Sequence, residues 1–176
     1  MKPDIRIEAS ACLLGAAAIL LVPLRWLAGA MVAAGVHEMG HLLALKWLGV
    51  PIRGVEIGFG GAKIKTAPMT RLEELVAAGA GPAAGMLLIL FARWMPCCAV
   101  CAAVQTVFNL LPMGQQDGKR ILRCIAGEKV SEICEVAVLV GLAIWVSKLL
   151  TVGKTGLCMA AGVIVLLVHR KFACKR

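Results

Sequence analysis

Charge is scarce in this chain. Of its 176 residues, 16% are Asp, Glu, Lys or Arg, ten are acidic and three are histidine. A soluble domain has about a quarter of its residues charged and close to half apolar. Here 60% are hydrophobic and the mean hydropathy is +0.87. The charges stand in short blocks between long apolar runs. This pattern excludes an ordinary soluble domain and implies an all-α integral membrane protein, with residues 1–176 as one polytopic domain. A second C-x-x-C is also lacking: Cys98 and Cys101 form the one pair, so a cysteine zinc site is not expected. Six of the eight cysteines (Cys12, Cys97, Cys98, Cys101, Cys134 and Cys158) fall within or beside apolar runs, where a thiol behaves as a small hydrophobe. Cys124 and Cys174 fall on the side assigned below to the reducing cytoplasm. The mixed charges of Met1 to Ser10 do not resemble a cleavable signal, so the first apolar run is expected to be retained.

Runs of about 20 apolar residues mark about six transmembrane helices. They cover Ala9 to Leu24, Trp26 to Leu48, Leu72 to Phe91, Met95 to Leu111, Ile133 to Leu150 and Gly156 to Val168. Pro23, Gly49 with Pro51, and Pro112 punctuate them. Six spans place both termini and the 2–3 and 4–5 loops on one side. Of the 19 Lys and Arg, only Arg25, Arg93, Lys148 and Lys154 fall on the other. The positive-inside rule then makes the basic side cytoplasmic, giving a multi-pass protein of the cell membrane with both termini inside. The net charge of +9 belongs to loops facing anionic lipid in the bilayer, and no nucleic-acid partner is expected.

Polar residues in the second run carry the chemistry. Val36-His37-Glu38-Met39-Gly40-His41-Leu42 contains H-E-x-x-H. On a helix, positions i and i+4 share a face, so His37 and His41 can offer two nitrogens to one zinc ion while Glu38 handles protons as the catalytic base. Shuffling three His and eight Glu over this chain gives the pattern roughly once or twice in a thousand trials, so chance is a poor account. One charged side chain at a helix centre in lipid costs about 2.5–3.5 kcal/mol. Three ionisable groups within five residues therefore call for a compensating cation.

Such a zinc site takes a third protein ligand and leaves a position open for water. Glu56, Glu73 and Glu74 fall in or beside a loop, and His169 stands at the cytoplasmic edge of the last run. Asp117 is the better candidate. It follows the fourth run in Asn109-Leu110-Leu111-Pro112-Met113-Gly114-Gln115-Gln116-Asp117-Gly118, where Pro112, Gly114 and Gly118 are expected to prevent a regular helix. Irregular backbone at membrane depth is tolerated where it lines a polar cavity.

H-E-x-x-H in one span, followed by N-x-x-P-x-x-x-x-D-G after a later one, resembles the site-2 protease family of intramembrane zinc metalloproteases, and most of all its stage IV sporulation protein FB group. The segment Gly54 to Lys65, through Gly58-Phe59-Gly60-Gly61, resembles the family's membrane-associated β-hairpin after the second helix, and Ala80-Gly81-Pro82 its A-G-P stretch. The match spans about residues 31–126, and no PDZ or CBS domain is expected in residues 1–176. The resemblance implies intramembrane proteolysis of a membrane protein substrate, such as a sigma-factor precursor or an anti-sigma factor. It also implies Zn2+ as cofactor and Asn109 as a substrate-positioning residue, and the sensing function of larger relatives is expected to be absent or supplied by a separate regulatory membrane protein. The chain departs from the family pattern at Gly85, where the family commonly has Asn, and at Gln115-Gln116 and Lys119 around Asp117, changes that bear on substrate positioning. The strands Val55 to Ile57 and Ala62 to Lys65 offer an edge to an unwound substrate, so proline at Ile57 or Ile64 should impair cleavage and leave zinc bound. A membrane zinc transporter or a catalytically inactive membrane adaptor are the alternative readings. A transporter needs a chain of polar ligands, and Gln105, Thr106 and Asn109 are nearly all the other spans offer.

Overall fold

A computed structural model of the chain describes residues 4–58 and 61–149. The sixth expected span (Gly156 to Val168), the hairpin tip at Phe59 and Gly60, His169, Cys158 and Cys174 lie outside the described residues. Among the described residues, six helices and three strands follow in the order β1 (Asp4–Ile7), α1 (Ala9–Leu21), α2 (Leu24–Trp47), β2 (Ile52–Gly58), β3 (Gly61–Thr66), α3 (Arg71–Ile89), α4 (Pro96–Asn109), α5 (Asp117–Ala126) and α6 (Glu128–Leu149).

Local chemistry sets the boundaries. Val22, which precedes Pro23, is extended, as sterics before proline require, and Pro23 then opens α2. Thr70 starts α3 with a reciprocal cap: its hydroxyl accepts from the Glu73 N–H at 3.3 Å, and its own N–H donates to the Glu73 carboxylate at 2.7 Å. Pro96 occupies the first turn of α4, where its missing N–H costs nothing. Between the helices, β2 and β3 pair antiparallel with Val55 opposite Ile64 and Glu56 opposite Lys63. The expected hairpin is therefore present, but it is part of a larger sheet. β1 adds in parallel to β2, giving the order β1-β2-β3. The mixed-charge N-terminal segment gave no period-2 signal strong enough to announce that strand.

Side chains are distributed inside-out relative to a water-soluble core. The buried apolar set is mostly alanine, with Leu45 and Cys98, whereas His37, His41, Thr106, Asp117, Ser131 and Glu135 are buried polar residues. The largest apolar side chains face outward, Leu20 being 83% exposed, Trp47 80% and Leu24 79%. Small residues let the helices approach closely: Gly40 of α2 faces Ala80 and Ala84 of α3, and Gly29 faces the Cys97–Cys98 backbone of α4.

Only α3, among the described helices, is long and apolar enough throughout to cross a membrane; α1 and α4 are shorter apolar helices of 13 and 14 residues. α2 and α6 have the length, at 24 and 22 residues, but carry His37, Glu38 and His41 in one and Glu128, Lys129, Glu132 and Glu135 in the other. The region after the fourth run also differs from expectation. Residues 110–116 are irregular, but Gly118 lies inside the first turn of a further helix, α5. A Cβ on Gly118 would overlap the Leu110 carbonyl, so the folded-back loop requires glycine there for closeness rather than for helix breaking. The described cysteines are all unpaired; Cys98 is buried and Cys12 is exposed on α1.

Candidate metal centre

α2 and α5 meet across α3. His37 and His41, four residues apart on α2, turn Nε2 atoms toward each other at 3.1 Å. Asp117, the first residue of α5, places Oδ2 3.2 Å from each of those nitrogens. All three residues are buried, and among the described residues they are the one group of His, Cys, Asp or Glu side chains able to hold a metal ion. Glu38 is half-buried and lines the same cleft of about 750 Å³. Asn109, the last residue of α4, brings its amide nitrogen within 3.0 Å of His37 Nε2.

The donor set fits a divalent cation. His41 Nδ1–H donates to the Ala77 carbonyl of α3 at 2.7 Å. That carbonyl can only accept, so in the neutral ring Nε2 presents its lone pair to the other imidazole and the carboxylate. With His37 Nε2 in the same unprotonated form, facing the Asn109 amide donor, three acceptors meet at one point and are satisfied by a shared cation. Tetrahedral zinc with nitrogen and oxygen ligands at 2.0–2.1 Å keeps neighbouring donor atoms about 3.3 Å apart. The observed 3.1 and 3.2 Å separations approach that value. The Ala77 contact also has the form of the outer hydrogen bond that orients a metal-ligating histidine. His37 differs, its buried Nδ1 having no partner among the described residues.

The other candidates for third ligand among the described residues are engaged elsewhere. Glu56 pairs with Lys65 diagonally across the hairpin, and that ammonium holds its carboxyl below the usual range. Glu73 completes the Thr70 cap. Glu74 accepts from Arg120 at 3.4 Å and from Arg123, tying α5 to α3. Two supporting features carry no sequence signature of a ligand. One is the Ala77 carbonyl. The other is Gly81, whose missing Cβ leaves the space that the His41 ring occupies. The A-G-P stretch pointed to the second without disclosing its role.

No family model matches the chain, and no curated protein matches its sequence. Among solved structures, the fold is similar to that of the Site-2 Protease from Methanocaldococcus jannaschii, with a TM-score of 0.60 and 20% identity, over 94% of this chain and 90% of that one. The chain therefore has the fold of a site-2 protease, and its His-His-Asp cluster could hold a metal ion.

Proposed function

We propose that the chain is an intramembrane zinc metalloprotease that hydrolyses a peptide bond in a membrane-embedded or membrane-associated protein. The observation that carries this reading is the convergence of His37, His41 and Asp117 at 3.1–3.2 Å, with Glu38 in the same cleft. The likeness of fold to a site-2 protease supports it. The membrane setting is supported by outward-facing Leu20, Leu24 and Trp47 around a polar interior, an arrangement stable in lipid and costly in water.

Zinc held by His37, His41 and Asp117 would supply water activation near neutral pH and polarisation of the scissile carbonyl. Glu38 takes the proton of the attacking water and returns it to the leaving amine. The Asn109 amide, beside His37, is placed to hold the substrate backbone. A helical substrate must unwind before its peptide bonds are exposed. The β3 segment from Gly61 to Ile64 and Thr66 lines the cleft, and no described strand pairs with the outer edge of β3. An unwound segment adding to that edge gains main-chain hydrogen bonds. The finer readings are a multi-pass protein of the cell membrane with cytoplasmic termini, membership of the stage IV sporulation protein FB group, and control by a separate membrane protein.

Zinc content and cleavage of a transmembrane test substrate, measured on purified wild type, Glu38→Gln and Asp117→Ala, test the proposal. About one zinc per chain is expected in the first two and much less in the third. Cleavage should fall by a factor of about 10²–10⁴ in Glu38→Gln, the usual weight of a general base. A wild-type chain without zinc after metal-replete expression refutes the proposal.

A further inference from the structure

Asp117 reaches the histidines from a short helix that follows an irregular loop, so something must hold that junction still. Among the described residues, the Asp117 carboxylate meets His37 and His41 of α2 rather than its own loop. Glu74 of α3 ties down the body of α5, and a second restraint, on the loop itself, comes from α6. Glu135, 6% exposed, accepts from the Gly114 N–H through Oε1 at 2.9 Å and from the Lys119 ammonium through Oε2 at 2.8 Å. Ser131, one turn earlier and fully buried, donates its hydroxyl to the Lys119 carbonyl at 3.3 Å. Gly114 precedes Asp117 by three residues and Lys119 follows it by two. One carboxylate therefore grips the chain on both sides of the candidate ligand.

We infer that Glu135, assisted by Ser131, is a positioning residue that holds Asp117 in place for the metal, an inference that rests on the metal site proposed above. A carboxylate that is only 6% exposed is costly to bury unless fully paired. Glu135 has a backbone donor for one oxygen and an ammonium for the other. This arrangement also explains a departure noted in the sequence: Lys119 stands where the resembled family commonly has glycine, and here its side chain is the partner of Glu135. α6 contributes no ligand, yet its first turns fix the geometry of one.

The experiment measures zinc affinity by chelator competition, and the visible absorption of the Co2+-substituted chain, for full-length wild type, Glu135→Ala and Glu135→Gln in detergent. Outer-shell losses of this kind lower metal affinity about 10- to 100-fold. Glu135→Ala should show that loss and a changed Co2+ band. Glu135→Gln, whose amide oxygen still accepts from Gly114 N–H, should recover most of the affinity. Packing of α5 on α6 alone would lower thermal stability without moving the Co2+ spectrum. Should Glu135→Ala not fold, Ser131→Ala and Glu135→Gln are each expected to weaken zinc binding by a smaller factor. Wild-type affinity and spectrum in the folded variants overturn the inference while leaving the metal site standing. A wild type that binds neither ion overturns the metalloprotease reading and this inference with it.

Discussion

Replacing Gly81 by alanine puts a methyl group inside the His41 ring, where the added Cβ would overlap Nε2, Cε1 and Cδ2. The ring has little freedom to yield. Its Nδ1–H is anchored to the Ala77 carbonyl on the same helix, so turning away breaks a 2.7 Å hydrogen bond as well as moving Nε2 off the shared point. Backbone retreat is opposed by Pro82, which is fully buried. Apparent zinc binding to four-ligand peptide sites is about 10–16 kcal/mol, or roughly 2.5–4 kcal/mol per ligand. Losing His41 as a ligand should therefore weaken zinc binding by about 100- to 1,000-fold. Chelator competition in detergent measures this directly. Gly79→Ala on the same helix is the control, because its Cβ would meet nothing within 4 Å. It should bind zinc as wild type does and be neutral or more stable by up to about 1 kcal/mol, through helix propensity. Equal zinc affinity in the two variants would refute the placement of His41 against α3.

The sheet and the cap of α3 supply two further tests. Proline at Ile64 on β3 should slow cleavage about tenfold, through one or two lost main-chain hydrogen bonds at about 1 kcal/mol each, while zinc stays bound. Proline at Ile57 should also damage the fold, because β2 is central and Ile57 pairs with both Ile7 and Ala62; wild-type cleavage in both variants sinks the edge-pairing idea. Thr70→Ala removes the reciprocal cap of α3 and should cost about 1 kcal/mol in equilibrium unfolding. Zinc affinity at low temperature should change little in that variant, and an unaltered unfolding free energy would count against the cap.

Five of the expected helices were legible because lipid-scale hydrophobic runs are long and proline ends them sharply. Val22 before Pro23 and the turn at Gly49 and Pro51 mark their boundaries within a few residues. α5 was illegible on the same criterion. It has ten residues, and four of them (Asp117, Lys119, Arg120 and Arg123) are charged, so it reads as a cytoplasmic loop until its ion pairs with Glu74 and Glu135 are seen. β1 was missed because Asp4 to Ile7 alternates too briefly to signal a strand, and its partner β2 lies 50 residues on. Gly85 is the reverse case. The absence of the family's usual Asn was plain in the sequence, but its reason is spatial: a Cβ there would overlap the Thr106 hydroxyl, so the side chain of α4 fills the space.

The candidate site divides along the same physical line. Metal ligands must be particular side chains at particular spacings, so His37, His41 and Asp117 stood out against an apolar background. The groups that aim them are a backbone carbonyl at Ala77, a missing methyl at Gly81 and ion pairs between residues 16 to 49 positions apart. None of these has a fixed residue signature. α3 is the element they share on the histidine side, and through Glu74 it also reaches α5. α3, itself without a ligand, thus contacts both ligand-bearing helices, and α6 restrains α5 from its other side. Substitutions on α3 should move the metal site more than their distance from its side-chain chemistry suggests. The outward face of α1, bearing Leu13 and Leu20, touches none of these supports and should tolerate apolar exchange with the site intact.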